Sequence, residues 1–279
     1  MKDAASLQAA AWLGTHALWL YAALSMLLMT VTLLGWRLLQ HTPLRPQVPA
    51  AVPSHRMRLA MGCVLVGLGS AVFAWLAKEL LDGRALSLLD VVFTNALARA
   101  LPESVVQAAA LLTRLGDPAT LSVLGVVVAI VLLWRRHVAL MLGWAMALGG
   151  NGLLNPALKE LFARLRPLNA AEGASATGFS FPSGHSSGTV VAFGMLAYLG
   201  LRLLPTRCHL PVLLAAVLLA FSVGVSRIIL RVHYASDVAA GVASGTAWLV
   251  ICVTGIEFGR WLRQRANRTQ GGGQRPVAE

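Results

Sequence analysis

The sequence predicts an all-α integral membrane protein, and three observations lead to this class. Of the 279 residues, 57% are hydrophobic and only 12% are charged, whereas a soluble domain usually carries about 25% charged residues. The apolar residues form seven charge-free runs that approach or exceed the length needed to cross a bilayer. These runs lack the alternation of barrel strands, so helices are expected. The composition excludes a soluble globule, a disordered chain and a disulfide-stapled secreted domain.

The seven predicted spans are separated by charged or polar residues. In chain order they are residues 17–36, 59–77, 118–134, 138–158, 186–201 (extended by 203–206), 210–226 and 238–256. The first run is longer than a signal-peptide core and has no small-residue cleavage site before Arg37, so it is interpreted as a retained span. Residues 82–117 are amphipathic, and we expect them to lie in the outer interface as short helices.

The distribution of Lys and Arg predicts which ends of the spans face the cytoplasm. With the C-terminus placed inside, 13 of the 23 basic residues lie on the inner side and 10 on the outer side. Five of the outer ones belong to the candidate site described below. Without them the count is 13 against 5, so the positive-inside rule favours a cytoplasmic C-terminus.

Three polar segments fall on the same, outer face of this arrangement. They are Lys159–Pro167 (KELFARLRP), Pro182–His185 (PSGH) and Ser226–Asp237 (SRIILRVHYASD). The first follows span 4, the second precedes span 5, and the third connects span 6 to span 7. Each segment alone is an ordinary helix start, stop or side-chain pair. Their combination on one membrane face predicts a functional site.

The cations of these segments are typical of an oxyanion site. Lys159, Arg166 and Arg227 have few acids nearby in the sequence, and Arg presents a planar fork that matches phosphate oxygens. Ser183 and Gly184 stand where a helix should begin, and free backbone N–H groups bind anions there. Gly184 permits close approach of the backbone, and Ser183 can add a hydroxyl. The expected ligand is a tetrahedral anion, most simply phosphate.

Two histidines and an aspartate supply the predicted chemistry. His233 and Asp237 are spaced i, i+4, so on a helix they share a face. Asp237 can then accept from one ring nitrogen of His233 and leave the other free to attack phosphorus. His185, at the start of span 5, is suited to protonate the leaving oxygen.

These segments resemble the three motifs of the type 2 phosphatidic acid phosphatase (PAP2) superfamily, in its membrane-bound lipid phosphatase branch. The residues K-x6-R-P, P-S-G-H and S-R-x5-H-x3-D fill every signature position. The resemblance implies a six-helix core over residues 59–258, to which the first span is an addition. It also implies a phosphohistidine at His233 held by Asp237, His185 as acid and then base, and phosphate binding by Lys159, Arg166, Ser183, Gly184 and Arg227. The family needs no metal or other cofactor.

The sequence therefore predicts three regions. Residues 1–58 form the N-terminal span and a basic linker, 59–258 the phosphatase core, and 259–279 a basic, disordered tail. The expected activity is hydrolysis of a lipid phosphate or diphosphate monoester, such as undecaprenyl diphosphate, phosphatidate or phosphatidylglycerophosphate. The expected location is a bacterial inner membrane with the site on the periplasmic face. The expected partners are the lipid substrate and the bilayer, without nucleic acid.

Two other functions stay open at this stage. The same phosphohistidine could pass its phosphoryl group to a lipid or sugar hydroxyl, which would make the protein a phosphotransferase. A non-enzymatic anion transporter is the third alternative. Arg164 and Arg231 lie beside the motif positions, where they either balance nearby charge or contact a second phosphate. The oligomeric state is not predicted.

Overall fold

The computed structural model describes residues 2–41, 55–168, 170–171 and 177–271. All regular secondary structure within these residues is helical, with two short 3-10 turns at Arg114–Gly116 and Thr206–Cys208. The ten α-helices are α1 (Lys2–Thr15), α2 (Ala17–His41), α3 (His55–Asp82), α4 (Arg84–Ala100), α5 (Glu103–Thr113), α6 (Pro118–Trp134), α7 (Val138–Phe162), α8 (Gly184–Leu203), α9 (His209–Ile229) and α10 (Ala235–Gly271).

All seven predicted apolar runs lie in helices. Among the described residues, six helical segments are long and apolar enough to cross a membrane, and they lie in α2, α3, α7, α8, α9 and α10. The remaining run, residues 118–134, forms α6, which is apolar but only 17 residues long. The prediction of an all-α, multi-pass membrane protein is thus confirmed.

A short helix, α1, precedes the first span. The apolar pattern of the sequence did not predict it as a separate element. α1 ends at Thr15 and α2 begins at Ala17. α1 packs so closely on α4 that a Cβ on Gly14 would lie 2.5 Å from the carbonyl oxygen of Phe93. This contact requires glycine and fastens α1 to the rest of the bundle.

α2 runs antiparallel along α9. The hydroxyls of Tyr21 and Ser222 are 2.9 Å apart near the start of α2. Farther along, the rings of Trp36 and His209 meet edge to face, with centroids 5.9 Å apart. The first span is therefore held against the core at both of its ends.

The amphipathic segment between the second and third predicted spans forms two helices, α4 and α5. They meet at an angle of 117°. Leu101 has an extended backbone at the bend, as expected for a residue that precedes a proline, here Pro102. α4 buries Asp90 and Thr94 on one face and exposes Leu88 and Val91 on the other. One face of α4 therefore packs into the protein interior.

α8 lies at the centre of the bundle, packed against α7, α9 and α10. Its inward face joins a buried cluster that includes Trp144, Val191, Met195 and Cys252. At its first turn, a Cβ on Gly241 of α10 would lie 2.5 Å from the carbonyl oxygen of Ser183. The absence of a side chain at Gly241 therefore lets α10 contact the start of α8.

The disordered tail predicted from residue 259 is corrected by the structure, because α10 continues to Gly271. A helix already formed by a membrane span extends at little cost, and Arg, Gln and Ala favour helix. Trp261 also stacks on Phe258, with ring centroids 5.8 Å apart. Residues 272–279, and the linker residues 42–54, lie outside the described part of the chain.

Candidate active site

Four helix ends meet at one end of the bundle and carry the predicted site residues. They are the end of α7 with Lys159, the start of α8 with His185, the end of α9 with Arg227, and the start of α10 with Asp237. The backbone N–H of Ser183 donates to the carbonyl oxygen of Asp237 over 2.9 Å, which ties the second motif segment directly to the third.

His233 lies just before α10 and not on its first helical turn as expected. The preceding turn contains Arg231 with φ of 55°, and the helix starts only at Ala235. Asp237 turns back toward this segment and accepts the backbone N–H of Tyr234 over 2.9 Å. Its Oδ2 is 3.5 Å from Nδ1 of His233, slightly longer than an ordinary hydrogen bond. The turn before α10 therefore brings His233 and Asp237 together, although His233 is not itself helical.

The other nitrogen of His233 faces a cation. Nη1 of Arg166 lies 3.1 Å from Nε2 of His233. Because a guanidinium can only donate, this Nε2 carries the lone pair and Nδ1 carries the proton. Burial, aided by the nearby cations, lowers the pKa of His233 to about 4, against the opposing effect of Asp237. The ring is thus neutral at pH 7, and the lone pair of Nε2 accepts from Arg166.

Asp237 is held in turn by Arg164. Nη1 of Arg164 donates to Oδ1 of Asp237 over 2.5 Å, and Nη2 donates to Oδ2 of Asp90 over 2.8 Å. Ser236 donates its hydroxyl to Asp90 as well. Although burial disfavours its charge, the two carboxylates raise the pKa of Arg164. Arg164 therefore balances the negative charges of Asp90 and Asp237, which is one of the two roles considered for it from the sequence.

Arg166 is held in place by backbone carbonyls. It donates through Nη1 to Val232 over 2.7 Å, through Nε to Gly178 over 2.9 Å and through Nη2 to Thr177 over 3.1 Å. Burial lowers the pKa of Arg166, and Asp237 partly offsets this. The carbonyl contacts fix the guanidinium but leave its charge uncompensated.

Lys159 and Arg227 likewise donate to uncharged oxygen atoms. Nζ of Lys159 donates to the carbonyl of Phe179 over 3.0 Å. Arg227, with 6% of its surface exposed, donates through Nη1 to the hydroxyl of Thr113 over 2.9 Å, and its buried Nε has no partner among the described residues. Within the described part of the chain, no carboxylate lies within 4 Å of Lys159, Arg166 or Arg227. They also interact electrostatically with one another.

The start of α8 is built for close contact. Ser183 caps the helix and accepts from Ser186 through both its backbone N–H and its hydroxyl. A Cβ on Gly184 would lie 2.8 Å from Oδ1 of Asn155, so a side chain at this position would displace the Asn155 amide. Both predicted anion-binding residues thus lie at the helix N-terminus, where backbone donors attract negative charge.

His185 has a partner that the sequence analysis did not identify. Its Nε2 is 2.9 Å from Oδ1 of Asp117, the residue before α6. The His185 side chain is 15% exposed, so the ring is reachable from outside while its orientation is fixed. Both histidines of the site are therefore oriented by an aspartate.

The residues missed by sequence reasoning lie in the segment 82–117. Asp90 interrupts an apolar stretch (SLLDVVF), and an acid in such a position usually has a buried partner. This signal could have identified Asp90. Thr113 and Asp117 carry no comparable signal, because their partners, Arg227 on α9 and His185 on α8, become neighbours only in the folded bundle. Among the described residues, no group of three His, Cys, Asp or Glu side chains is placed to hold a metal ion.

Comparison with known proteins finds a curated relative and a solved structure, both from Bacillus subtilis. Phosphatidylglycerophosphatase B of strain 168 is 37% identical over 99 residues, which are 35% of this chain and 48% of that protein. The chain thus matches about half the length of this curated relative. The crystal structure of a transmembrane PAP2-type phosphatidylglycerolphosphate phosphatase is 27% identical with a TM-score of 0.65, covering 69% of this chain and 96% of the other.

The family match includes the motif segments themselves. Residues 138–261 match the PAP2 superfamily, and this range contains Lys159–Pro167, Pro182–His185 and Ser226–Asp237. The fold similarity extends over most of the bundle. The motifs, the fold and the site geometry all agree with the PAP2 superfamily, which residues 138–261 match.

Proposed function

We propose that this protein is a membrane phosphatase that hydrolyses a lipid phosphate or diphosphate monoester through a phosphohistidine at His233. The observation that carries the proposal is the neutral, buried His233 among cations that have no carboxylate partner. Three uncompensated positive charges at one site favour a multiply charged anion. A free imidazole nitrogen in their midst favours covalent catalysis on that anion.

In the first step, the phosphate enters between Lys159, Arg166 and Arg227. Arg166 exchanges Nε2 of His233 for a phosphate oxygen, which releases the nitrogen lone pair. Nε2 attacks phosphorus, the bond from phosphorus to the lipid oxygen breaks, and His185 gives that oxygen a proton. Asp237 keeps the proton on Nδ1 and stabilises the positive charge that develops on the ring.

In the second step, the roles of His185 reverse. The deprotonated ring accepts a proton from a water molecule as the water oxygen attacks phosphorus. The bond between phosphorus and Nε2 breaks, inorganic phosphate forms, and His233 returns to its neutral state. The three cations and the N–H groups at the start of α8 stabilise the charge in both transition states, so we propose that the reaction is independent of metal ions.

The first substrate to test is phosphatidylglycerophosphate, because the Bacillus relative and the similar solved structure are named for phosphatases of this lipid. Phosphatidate and undecaprenyl diphosphate are the other candidates, since both place a phosphate next to an apolar tail. We further propose that the site faces the periplasm of an inner membrane, which the distribution of Lys and Arg supports.

Release of inorganic phosphate from these three lipids by the purified protein in detergent tests the proposal. We expect turnover of at least one lipid in the absence of any alcohol acceptor, and no turnover by the His233→Ala variant. Phosphate release that requires an added lipid or sugar hydroxyl would identify a phosphotransferase. Equal activity of wild type and His233→Ala would overturn the covalent mechanism.

A further inference from the structure

An apolar groove runs from the active-site end of the bundle toward its middle. Its volume is about 830 Å³, and its walls come from α1, α2, α3, α4, α9 and α10. Among the described residues that line it, only Tyr21 and Thr246 carry a polar side-chain atom, and the Tyr21 hydroxyl is paired with Ser222. We name this space, between α2 on one side and α9 and α10 on the other, the tail groove.

The tail groove begins beside the catalytic residues. Ile228 and Ile229 line it directly after Arg227, and Val238 and Ala239 line it directly after Asp237. α10 borders it from Ala235 to Thr246, and the rise between these two residues corresponds to about 16 Å of helix. This is close to the roughly 15 Å thickness of one hydrocarbon leaflet. A tail in the groove would reach the middle of the membrane while its head lies at the cationic site.

α1 and α2 are what make this space a groove. Both lie outside the core predicted over residues 59–258, and their contacts with the core are specific. Tyr21 stacks on Phe221 with centroids 5.7 Å apart, next to its hydroxyl contact with Ser222. Further along α2, Leu24 and Leu28 face the groove. Without α2, the same surface of α9 and α10 would be open on that side.

We propose that α1 and α2 complete a binding groove for a hydrocarbon tail of the lipid substrate, and that α2 thereby makes the enzyme sensitive to tail length. The proposal rests on the proposed function, because the occupant is chosen by continuity with a phosphate site. A bulk membrane lipid is the competing occupant. It would fill the groove whatever its head group, and it would have no effect on substrate preference.

The first experiment narrows the groove from both walls. Leu24→Trp places bulk into it from α2, and Ala239→Phe does so from α10, where Ala239 is exposed. The matched controls are Leu34→Trp, on an exposed part of α2 that does not line the groove, and Ala145→Phe on the outer face of α7. For each protein, kcat/KM is measured for dihexanoyl and dipalmitoyl phosphatidate.

We expect the groove variants to lower the ratio of long-chain to short-chain kcat/KM by roughly tenfold or more, since a filled apolar pocket rejects the part of a ligand that no longer fits. The short-chain activity and both controls should stay close to wild type. An unchanged ratio in Leu24→Trp and Ala239→Phe, or an equal shift in the controls, would overturn the proposal.

A second experiment does not depend on turnover. Phosphatidate with a diazirine at the end of its tail is photolysed with the His233→Ala variant, and the labelled peptides are identified. We expect labels on α2 near Leu24 that excess phosphatidate removes and phosphatidylcholine does not. Equal competition by both lipids would assign the groove to bulk lipid. Specific labelling without any hydrolysis by wild type would contradict the proposed reaction but support the assignment of the groove to the lipid tail.

Discussion

The guanidinium of Arg164 lies 2.5 Å from Oδ1 of Asp237, and this carboxylate is fully buried. Arg164 is itself 8% exposed and binds Asp90 with its other nitrogen. The acid that orients His233 is therefore held by a chain of charges that begins on α4. A buried charge network of this kind is costly to break at any point, because the remaining partner loses its compensation.

The first prediction concerns Asp90. Asp90→Asn removes one of the two charges that fix Arg164, and hydrogen bonds to charged groups contribute roughly 1.5–3 kcal/mol. We expect kcat to fall by roughly tenfold or more with little change in KM, because Asp90 does not contact the phosphate site. Steady-state kinetics on a lipid phosphate measure the split between the two constants.

The matched control is Asp82→Asn, which removes an exposed acid at the end of α3. This variant should retain wild-type kcat. A rise in KM at constant kcat for Asp90→Asn would mean that Asp90 acts on substrate binding and not on the position of Asp237.

The second prediction concerns pH. Burial lowers the pKa of His233 to about 4, so the ring is neutral above that pH and protonated below it. Only the neutral ring has a lone pair on Nε2 to attack phosphorus. With an activated aryl phosphate, whose leaving group needs little help from His185, the rate of phosphoenzyme formation in single-turnover experiments should thus stay level from neutral pH down to about pH 5 and decline through about pH 4. A decline centred near the ordinary histidine value of about 6.5 would show that the ring is not held neutral by its surroundings.

How far the sequence led to this site depends on the distance between partners along the chain. His233 and Asp237 are four residues apart, and the motif spacing was sufficient to pair them. Arg164 and Asp90 are 74 residues apart, and Thr113 and Arg227 are 114 apart, so these pairs depend on the packing of α4 and α5. The end of α10 was also not predicted. Hydropathy alone gives the apolar span, and it does not show that the helix continues past residue 259. Hydropathy located the spans because membrane crossing has a fixed length, whereas side-chain partners depend on tertiary contacts.

The third prediction concerns metal ions. Because Lys159, Arg166 and Arg227 supply positive charge without a metal, turnover should persist in excess chelator. Vanadate should inhibit, since it adopts the five-coordinate geometry of phosphoryl transfer in the same cationic site. Activity that is lost with chelator and restored by a divalent cation would contradict the proposed mechanism.

The fourth prediction concerns membrane orientation. The count of 13 against 5 basic residues predicts a cytoplasmic C-terminus with the site on the other side of the membrane. Reporter fusions after residue 265 and within residues 170–178 should therefore report opposite compartments. A cytoplasmic signal from both positions would remove the basis for a periplasmic substrate.

The fifth prediction separates the two histidines. His233→Ala removes the proposed attacking nitrogen, so no phosphoenzyme should form with any substrate. His185→Ala removes the proposed acid, and the effect should depend on the leaving group. A lipid alkoxide leaves poorly and needs the proton, and general acid catalysis typically contributes about 10²–10⁴-fold. An activated aryl phosphate leaves with far less help, so its hydrolysis should be partly spared.

Asp117→Asn provides the matched test of this assignment, because the Asp117 side chain is paired with the proposed acid His185 and not with His233. The carboxylate orients His185 over 2.9 Å, whereas Asp237 orients His233. Asp117→Asn should therefore reduce lipid turnover more than aryl phosphate turnover, as His185→Ala does, but by a smaller factor. Asp237→Asn should reduce both, since it disturbs the tautomer and position of the nucleophile. Equal losses on both substrates for His185→Ala, or a phosphoenzyme trapped from His233→Ala, would show that the two roles are assigned wrongly.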